Sequence, residues 1–332
     1  MNISVIGSGS WGTTLAILLA RKNFDVTLWT HKEEYFTMMS ERRENSKYLA
    51  GISFPSNLKI SQNLDDAVNC KDVIVFGIPS QQLRSVLEKV QEQNFKNSIL
   101  VNLAKGIETS SLKLMNEVIL SVLKNCDKNL IATLSGPSHA EEVCLNIPTA
   151  VVSASFNIET AKQVQEIFIT DKFRVYASSD IIGIEIGGSL KNIIAIGAGI
   201  IDGANFGDNT KAALITRSIS EITRLGIFLG AKEKTFAGLS GLGDLFVTCT
   251  SKHSRNRYVG EQIGKGRKLD FILREMKMVA EGVYTTRSAY LLSQKCKIET
   301  PIINEMYAVL FDKKDAKEAT YDLMKRIAKE ED

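Results

Sequence analysis

Lys191 sits where a lysine is costly. Residues 181 to 201 read IIGIEIGGSLKNIIAIGAGII, apolar or small nearly all round, with Glu185 the only other charge. An ammonium group in such a helix is desolvated unless it finds a partner, and desolvation lowers its pKa towards the range useful for proton transfer. Gly187 and Gly188 leave space on the same face. Lys191 is therefore the leading candidate for a proton donor or acceptor. Two other places have chemistry-bearing residue types at telling spacings. In Gly7-Ser8-Gly9-Ser10-Trp11-Gly12, the first glycine permits a tight turn, the second lets a pyrophosphate approach the backbone, and the third lets a helix pack on a strand. In the stretch Ala237 to Arg257, Asp244 and Thr248 are four apart and share a face of any helical turn; Ser254 is placed to cap a helix with Arg255 and Asn256 in its first turn. Arginine beside free helix N–H groups suits a phosphate or carboxylate, and a basic surface turn would read the same way.

Positioning these residues calls for an α/β architecture. Ile3, Val5 and Ile6 alternate as in a strand, and Thr13 to Lys22 has helical spacing. Val26 to Trp29 follows as a second strand, so the fingerprint lies in the βαβ unit it needs, with the helix N-terminus turned to a phosphate. Past that strand, where an NAD-preferring site usually carries an acid, the chain reads Thr30-His31-Lys32. His31 and Lys32 suit a 2′-phosphate, which favours NADP or dual use; Lys32 also suits a plain surface charge opening a helix.

The rhythm continues. Helix is expected over 32–43, 64–69, 81–91, 112–123 and 159–169, and strand over 58–61, 72–78, 98–103, 130–134, 149–154 and 173–177. Lys105 falls beyond the carboxyl end of a strand, where ligands bind in doubly wound sheets, although surface lysines also occupy such loops. Ser135-Gly136-Pro137-Ser138-His139-Ala140-Glu141 predicts a helix start with Ser138 as N-cap and Glu141 completing a capping box. That start is also an anion site. From residue 180 the pattern is helical: 181–201, 210–229, 258–263, 282–295, 302–311 and 316–329, the last with Ala316, Ala319, Leu323 and Ile327 on one stripe. The expected fold class is thus α/β: a Rossmann-type, mostly parallel sheet domain over 1–179, followed by an all-helical substrate-binding domain over 180–332.

Bulk properties agree. The 332 residues suit two domains, and 44% hydrophobic with 24% charged residues is ordinary for a soluble enzyme. A net charge of +3 lacks the basic excess of a nucleic-acid binder. Five scattered cysteines without a CxxC pair speak against a disulfide framework or a metal site, and for a reducing compartment. The first strand is expected from residue 2 with no basic stretch before it, so no signal peptide is expected. Residues 181 to 201 approach membrane-spanning length, but their charges and glycines favour a buried helix over a membrane span.

Six segments in this order, GSGSWGTTLA, LAKGIE, SGPSHAEE, LKNIIAIGAGI, GLGDLFVTC and SRNR, resemble NAD(P)-dependent glycerol-3-phosphate dehydrogenase along essentially the whole chain. The resemblance implies reversible reduction of dihydroxyacetone phosphate to sn-glycerol 3-phosphate, feeding glycerophospholipid synthesis in the cytoplasm. It makes Lys191 the proton donor or acceptor. Ser10, Trp11, His31, Lys32 and Lys105 match cofactor-contacting positions, as do Ala140, Arg255, Val279 and Glu281. Lys105, Gly136, Ser138, Asp244, Ser254, Arg255 and Asn256 match substrate-contacting ones. His139 departs from the aromatic often found there. In chemical terms, hydride addition to a carbonyl leaves an alkoxide that needs a proton and a nearby positive charge. Lys191 offers both, Asp244 would orient it, and Lys105 would add positive potential. A β-hydroxyacid dehydrogenase acting on a carboxylate, or a cofactor-sensing binding module, would share the same plan. The small phosphorylated substrate is the one partner expected besides a homodimer.

Overall fold

In the computed structural model, which describes residues 1–276, 279–328 and 330–331, the apolar runs of the N-terminal half pair into one eight-stranded sheet. Its strands are β1 (Asn2–Ile6), β2 (Asp25–Trp29), β3 (Leu58–Ser61), β4 (Val73–Phe76), β5 (Ile99–Asn102), β6 (Ile131–Ser135), β7 (Thr149–Ser155) and β8 (Phe173–Ser178). Their order is β3-β2-β1-β4-β5-β6-β7-β8. All neighbours are parallel except β6 and β7. Continuous Val and Ile runs form β4 because both of its faces are covered. The connecting helices are α1 (Ser10–Arg21), α2 (Glu33–Arg42), α3 (Leu64–Val68), α4 (Leu83–Leu87), α5 (Met115–Val122), α6 (Ala140–Cys144) and α7 (Ile158–Phe168). The core of this half gathers Ile3, Val5, Leu15, Leu19, Leu28, Val75 and Val101, all buried.

The rest is helical: α8 (Ile181–Gly203), α9 (Asp208–Phe228), α10 (Asp244–Thr250), α11 (Arg255–Gly264), α12 (Leu269–Glu275), α13 (Glu281–Cys296), α14 (Pro301–Phe311) and α15 (Ala316–Met324). Helix α8 alone among the described helices is long and apolar enough to cross a membrane, and it is buried within the protein. Its glycines have a packing role. A Cβ on Gly199 would lie 2.0 Å from the Arg257 carbonyl oxygen, and one on Gly260 would lie 1.8 Å from that of Ile196. Helices α8 and α11 therefore cross backbone to backbone.

Several boundaries differ from the sequence expectation. The compact units are 1–105 with 113–185, and 106–112 with 186–332, rather than 1–179 and 180–332. The first turn of α8 thus goes with the sheet, and Gly106–Leu112 goes with the helical unit, where Ser288 donates to the Ile107 carbonyl at 3.0 Å. The helix expected from residue 112 starts at Met115, because Leu112 has φ 59°, outside the helical region. The expected helix 81–91 is α4 with a 3-10 turn on either side. The C-terminal helix ends at Met324. Ala319 is buried, whereas Ile327 lies beyond the helix and is 89% exposed, so the proposed stripe breaks there. Lys329, the expected end of that helix, lies outside the described residues.

Candidate active site

Gly9 is the N-cap of α1; no side chain caps the helix, and its first turn has no acid. The N–H groups at this end are left to a ligand. Gly7 has φ 116°, in the region that favours glycine, and a Cβ on Gly12 would meet the Gly7 carbonyl oxygen at 2.1 Å. Beside Gly9 there is open space within 4 Å of an added Cβ, as an approaching pyrophosphate requires. The loop is braced by Asn45, which the sequence reading passed over: its Nδ2 donates to the Ser8 carbonyl and the Thr13 hydroxyl, each at 2.8 Å. The Ser8 hydroxyl also donates to that of Thr30 at 2.8 Å. Trp11 packs on Phe173 with ring centres 6.3 Å apart. Thr14 donates to the Ala140 carbonyl at 3.3 Å. These features fit a bound dinucleotide.

Past β2, His31 and Lys32 are both exposed. Partial shielding from water, then Lys32, Lys89 and Lys47, holds the His31 pKa below its ordinary value. Lys32 and Lys47 stand over the Tyr35 ring, 5.3 and 4.2 Å from its centre, and His31 meets the same ring edge-on at 6.4 Å. Lys47 and Lys89 were missed in sequence because both are far from the fingerprint and ordinary in context. A positive cluster at this strand end is suited to a phosphate.

Lys105 donates to the Gly136 carbonyl at 3.0 Å, so these two residues come together. Ser138 does not cap a helix. His139 occupies the N-cap without a side-chain cap bond, and the Ser138 hydroxyl donates back to Gly136 at 3.0 Å. The expected capping box fails because α6 starts one residue later, putting Glu141 in its first turn rather than three residues past the N-cap. Ser138 is instead tied to the carbonyl that Lys105 uses.

In the helical unit, Lys191, Asp244 and Thr248 are bonded into one group. The Lys191 Nζ donates to Asp244 Oδ1 at 2.5 Å and to Thr248 Oγ1 at 2.7 Å. The Thr248 hydroxyl donates in turn to the Asp244 main-chain carbonyl at 2.6 Å, which leaves its oxygen facing the ammonium. Lys191 is 6% exposed and Asp244 1%. Such a pair is stable only because each charge has its counterpart. The polar glycine-rich stretch before Asp244 is itself wound, as a single π-type turn over Leu239–Gly243. It comes close to α8 because residue 187 is glycine: an added Cβ there would meet the Ser240 carbonyl oxygen at 2.5 Å. Neighbouring Cys249 is buried, its thiol pushed up to about 12 chiefly by burial, so it takes no part as a thiolate.

Ser254 caps α11 as expected, accepting from the Arg257 N–H at 3.2 Å. Arg255 is exposed in the first turn and donates to the Val279 carbonyl at 3.1 Å. Asn256 is buried; its Oδ1 accepts from the Gly282 N–H and its Nδ2 donates to Asn192, each at 3.0 Å. Arg255, Asn256, Val279 and the start of α13 at Glu281 are therefore held as one group next to Asn192, the residue after Lys191. No local spacing marks Asn192, because its partner Asn256 lies 64 residues away along the chain.

Residues 2–161 match the family model for the NAD-dependent glycerol-3-phosphate dehydrogenase N-terminus, and residues 180–321 that for its C-terminus. The chain is 53% identical over 331 residues, covering 100% of both chains, to glycerol-3-phosphate dehydrogenase [NAD(P)+] of Prosthecochloris aestuarii. It is 52% identical to the protein of the same name from Thermoanaerobacter sp., covering 100% of this chain and 99% of that one. Among solved structures, glycerol-3-phosphate dehydrogenase from Coxiella burnetii matches with TM-score 0.93 at 37% identity, covering 98% of this chain and 99% of that one.

Proposed function

The chain belongs to the NAD-dependent glycerol-3-phosphate dehydrogenase family, and from that premise we propose how its own residues carry the reaction. The protein is an NAD(P)-dependent oxidoreductase that interconverts dihydroxyacetone phosphate and sn-glycerol 3-phosphate, a step that supplies glycerophospholipid synthesis. When bound, the reduced nicotinamide supplies a hydride to the carbonyl carbon. Lys191 stabilises the negative charge growing on the carbonyl oxygen and gives that oxygen a proton, leaving a neutral amine that regains its proton from solvent. In the reverse direction the amine takes the proton. Asp244 and Thr248 hold the lysine in place through the bonds already described.

The phosphate falls to Arg255, with Ser254 and Asn256 fixing the first turn of α11 from which it extends. Lys105 adds positive potential, with Gly136 and Ser138 completing its loop. Gly7, Gly9, Ser10, Trp11 and Gly12 carry the pyrophosphate, and the family resemblance assigns Ala140, Val279 and Glu281 to the cofactor as well. His31 and Lys32 read the 2′ position, which favours NADP. We place the enzyme in the cytoplasm, in keeping with five free cysteines, and assign it a homodimeric state to be checked by sedimentation.

The observation that carries this reading is the buried Lys191–Asp244–Thr248 group. It is tested by following NADPH and NADH oxidation with dihydroxyacetone phosphate in the wild type and Lys191→Ala. The variant should lose about 10²- to 10⁴-fold in kcat while its NADPH Kd stays within about threefold of wild type. Near wild-type turnover would remove Lys191 from the chemistry.

A further inference from the structure

Glu185, six residues before Lys191 on α8, is buried and has no part in the chemistry above. Its carboxylate gathers donors from three separate elements. The Oε1 accepts from the Thr133 hydroxyl at 2.6 Å and from Asn102 Nδ2 at 3.2 Å. The Oε2 accepts from Asn116 Nδ2 at 2.7 Å, and the Asn116 N–H lies 3.2 Å from both oxygens. Among the described residues no cation pairs with it. Side-chain and main-chain donors alone offset the cost of burying the group.

The bonds lead to the active-site loop. Asn102 is the last residue of β5 and lies opposite Thr133 of β6 in the sheet register. Its Oδ1 accepts from the Ala104 N–H at 2.9 Å and its Nδ2 donates to the Ala104 carbonyl at 3.1 Å, so one amide holds both main-chain groups of that residue. This fixes which way the amide faces: the nitrogen points at Glu185. The next residue is Lys105, bonded to Gly136 just past the end of β6. The two segments that meet at Lys105 and Gly136 are therefore continuations of two neighbouring strands that one carboxylate joins.

We propose that Glu185 is a positioning residue for the reaction, acting through Asn102 and Thr133 to set the place of the Lys105 ammonium. The proposal rests on the reading of Lys105 as a site residue. A displacement of about 1 Å at a positioned group can cost on the order of 10²-fold in rate. Glu185→Gln keeps the volume but turns an amide nitrogen towards donors, so the bonds that tie Asn102, Thr133 and Asn116 to one group cannot all be kept.

The test is a double-mutant cycle between Glu185→Gln and Lys105→Ala, read both as kcat/KM for dihydroxyacetone phosphate and as NADPH Kd by fluorescence. Glu185→Gln alone should lower kcat/KM by about tenfold. In the Lys105→Ala background the same change should cost less than about twofold, because the group it positions is gone, and any effect on Kd should vanish in the same way. Asn102→Ala, which cuts the link while leaving Glu185 bonded to Thr133 and Asn116, should behave alike and serves if Glu185→Gln does not fold. Equal factors in both backgrounds, or wild-type values for Glu185→Gln, overturn the positioning role alone. Unchanged values for Lys105→Ala by itself remove Lys105 from the site and take the proposal with it.

Discussion

Lys191 was legible from sequence because a lone ammonium among isoleucines and glycines is an anomaly that only a partner or a function resolves. Glu185 is as anomalous in the same helix. Its meaning stayed hidden because its partners, Asn102, Asn116 and Thr133, lie 52 to 83 residues away along the chain. The structure also attaches a stability cost to Lys191→Ala, since removing one member of a buried pair leaves Asp244 without its cation, which typically costs about 3–5 kcal/mol. Rate comparisons should therefore be made well below the variant's melting temperature. A sharper residue-scale prediction concerns His31. Nearby Lys32, Lys89 and Lys47 hold its pKa down, after partial shielding from water. A 2′-phosphate placed among these cations would reverse the local potential, so the His31 pKa should rise on saturation with NADP+ and change little with NAD+. Histidine proton resonances followed from pH 5 to 8 measure it. An equal response to both cofactors would show that the cluster does not contact the 2′ position.

At the scale of elements, periodicity located all eight strands and most helices, since apolar spacing is what burial selects. It failed where backbone geometry decides, at Leu112 with its positive φ and at the start of α6. It also had no means of seeing that the glycines of α8 and α11 face each other. Gly260→Ala should therefore destabilise the protein by more than about 2 kcal/mol in denaturant unfolding, although alanine is worth about 1 kcal/mol more than glycine inside an isolated helix. A gain in stability would show that the two helices do not cross in contact there. Glu221 offers a second element-scale prediction. Its carboxylate accepts from the Ile302 and Ile303 N–H groups at the start of α14, each at 2.9 Å, yet its pKa is raised to about 7, burial outweighing those bonds and the pull of Arg224 and Arg326. The folded state then holds a proton that the unfolded state has released between about pH 4.5 and 7, so this group's contribution to stability falls as pH rises through that window. The span corresponds to roughly 3 kcal/mol at most. Urea midpoints at pH 5 and 7.5 should show wild type losing stability relative to Glu221→Gln on going to the higher pH; parallel midpoints would place the carboxyl pKa in its ordinary range.

For the whole molecule, the division into a sheet part and a helical part was legible from the change of pattern near residue 180. The return of Gly106–Leu112 to the helical unit was not, because seven residues carry no periodicity of their own. This assignment bears on how the protein melts. NADPH, if bound as proposed through the glycine loop of the first unit, stabilises whatever unfolds together with that unit, by about 2.7 kcal/mol at a hundred times Kd. Unfolding entropy scales with the number of residues released. The melting temperature should therefore rise by about 4 °C if all 332 residues melt together, and by about 7 °C if the first unit melts alone. In the second case calorimetry should resolve two transitions, with that of the glycine-loop unit moved more by NADPH. The Lys191→Ala variant should show the same shift as the wild type if, as proposed, the lysine, which belongs to the helical unit, acts on the substrate oxygen. A shift lost in that variant would mean that Lys191 helps to hold the cofactor, and its effect on turnover would then no longer isolate the proton transfer.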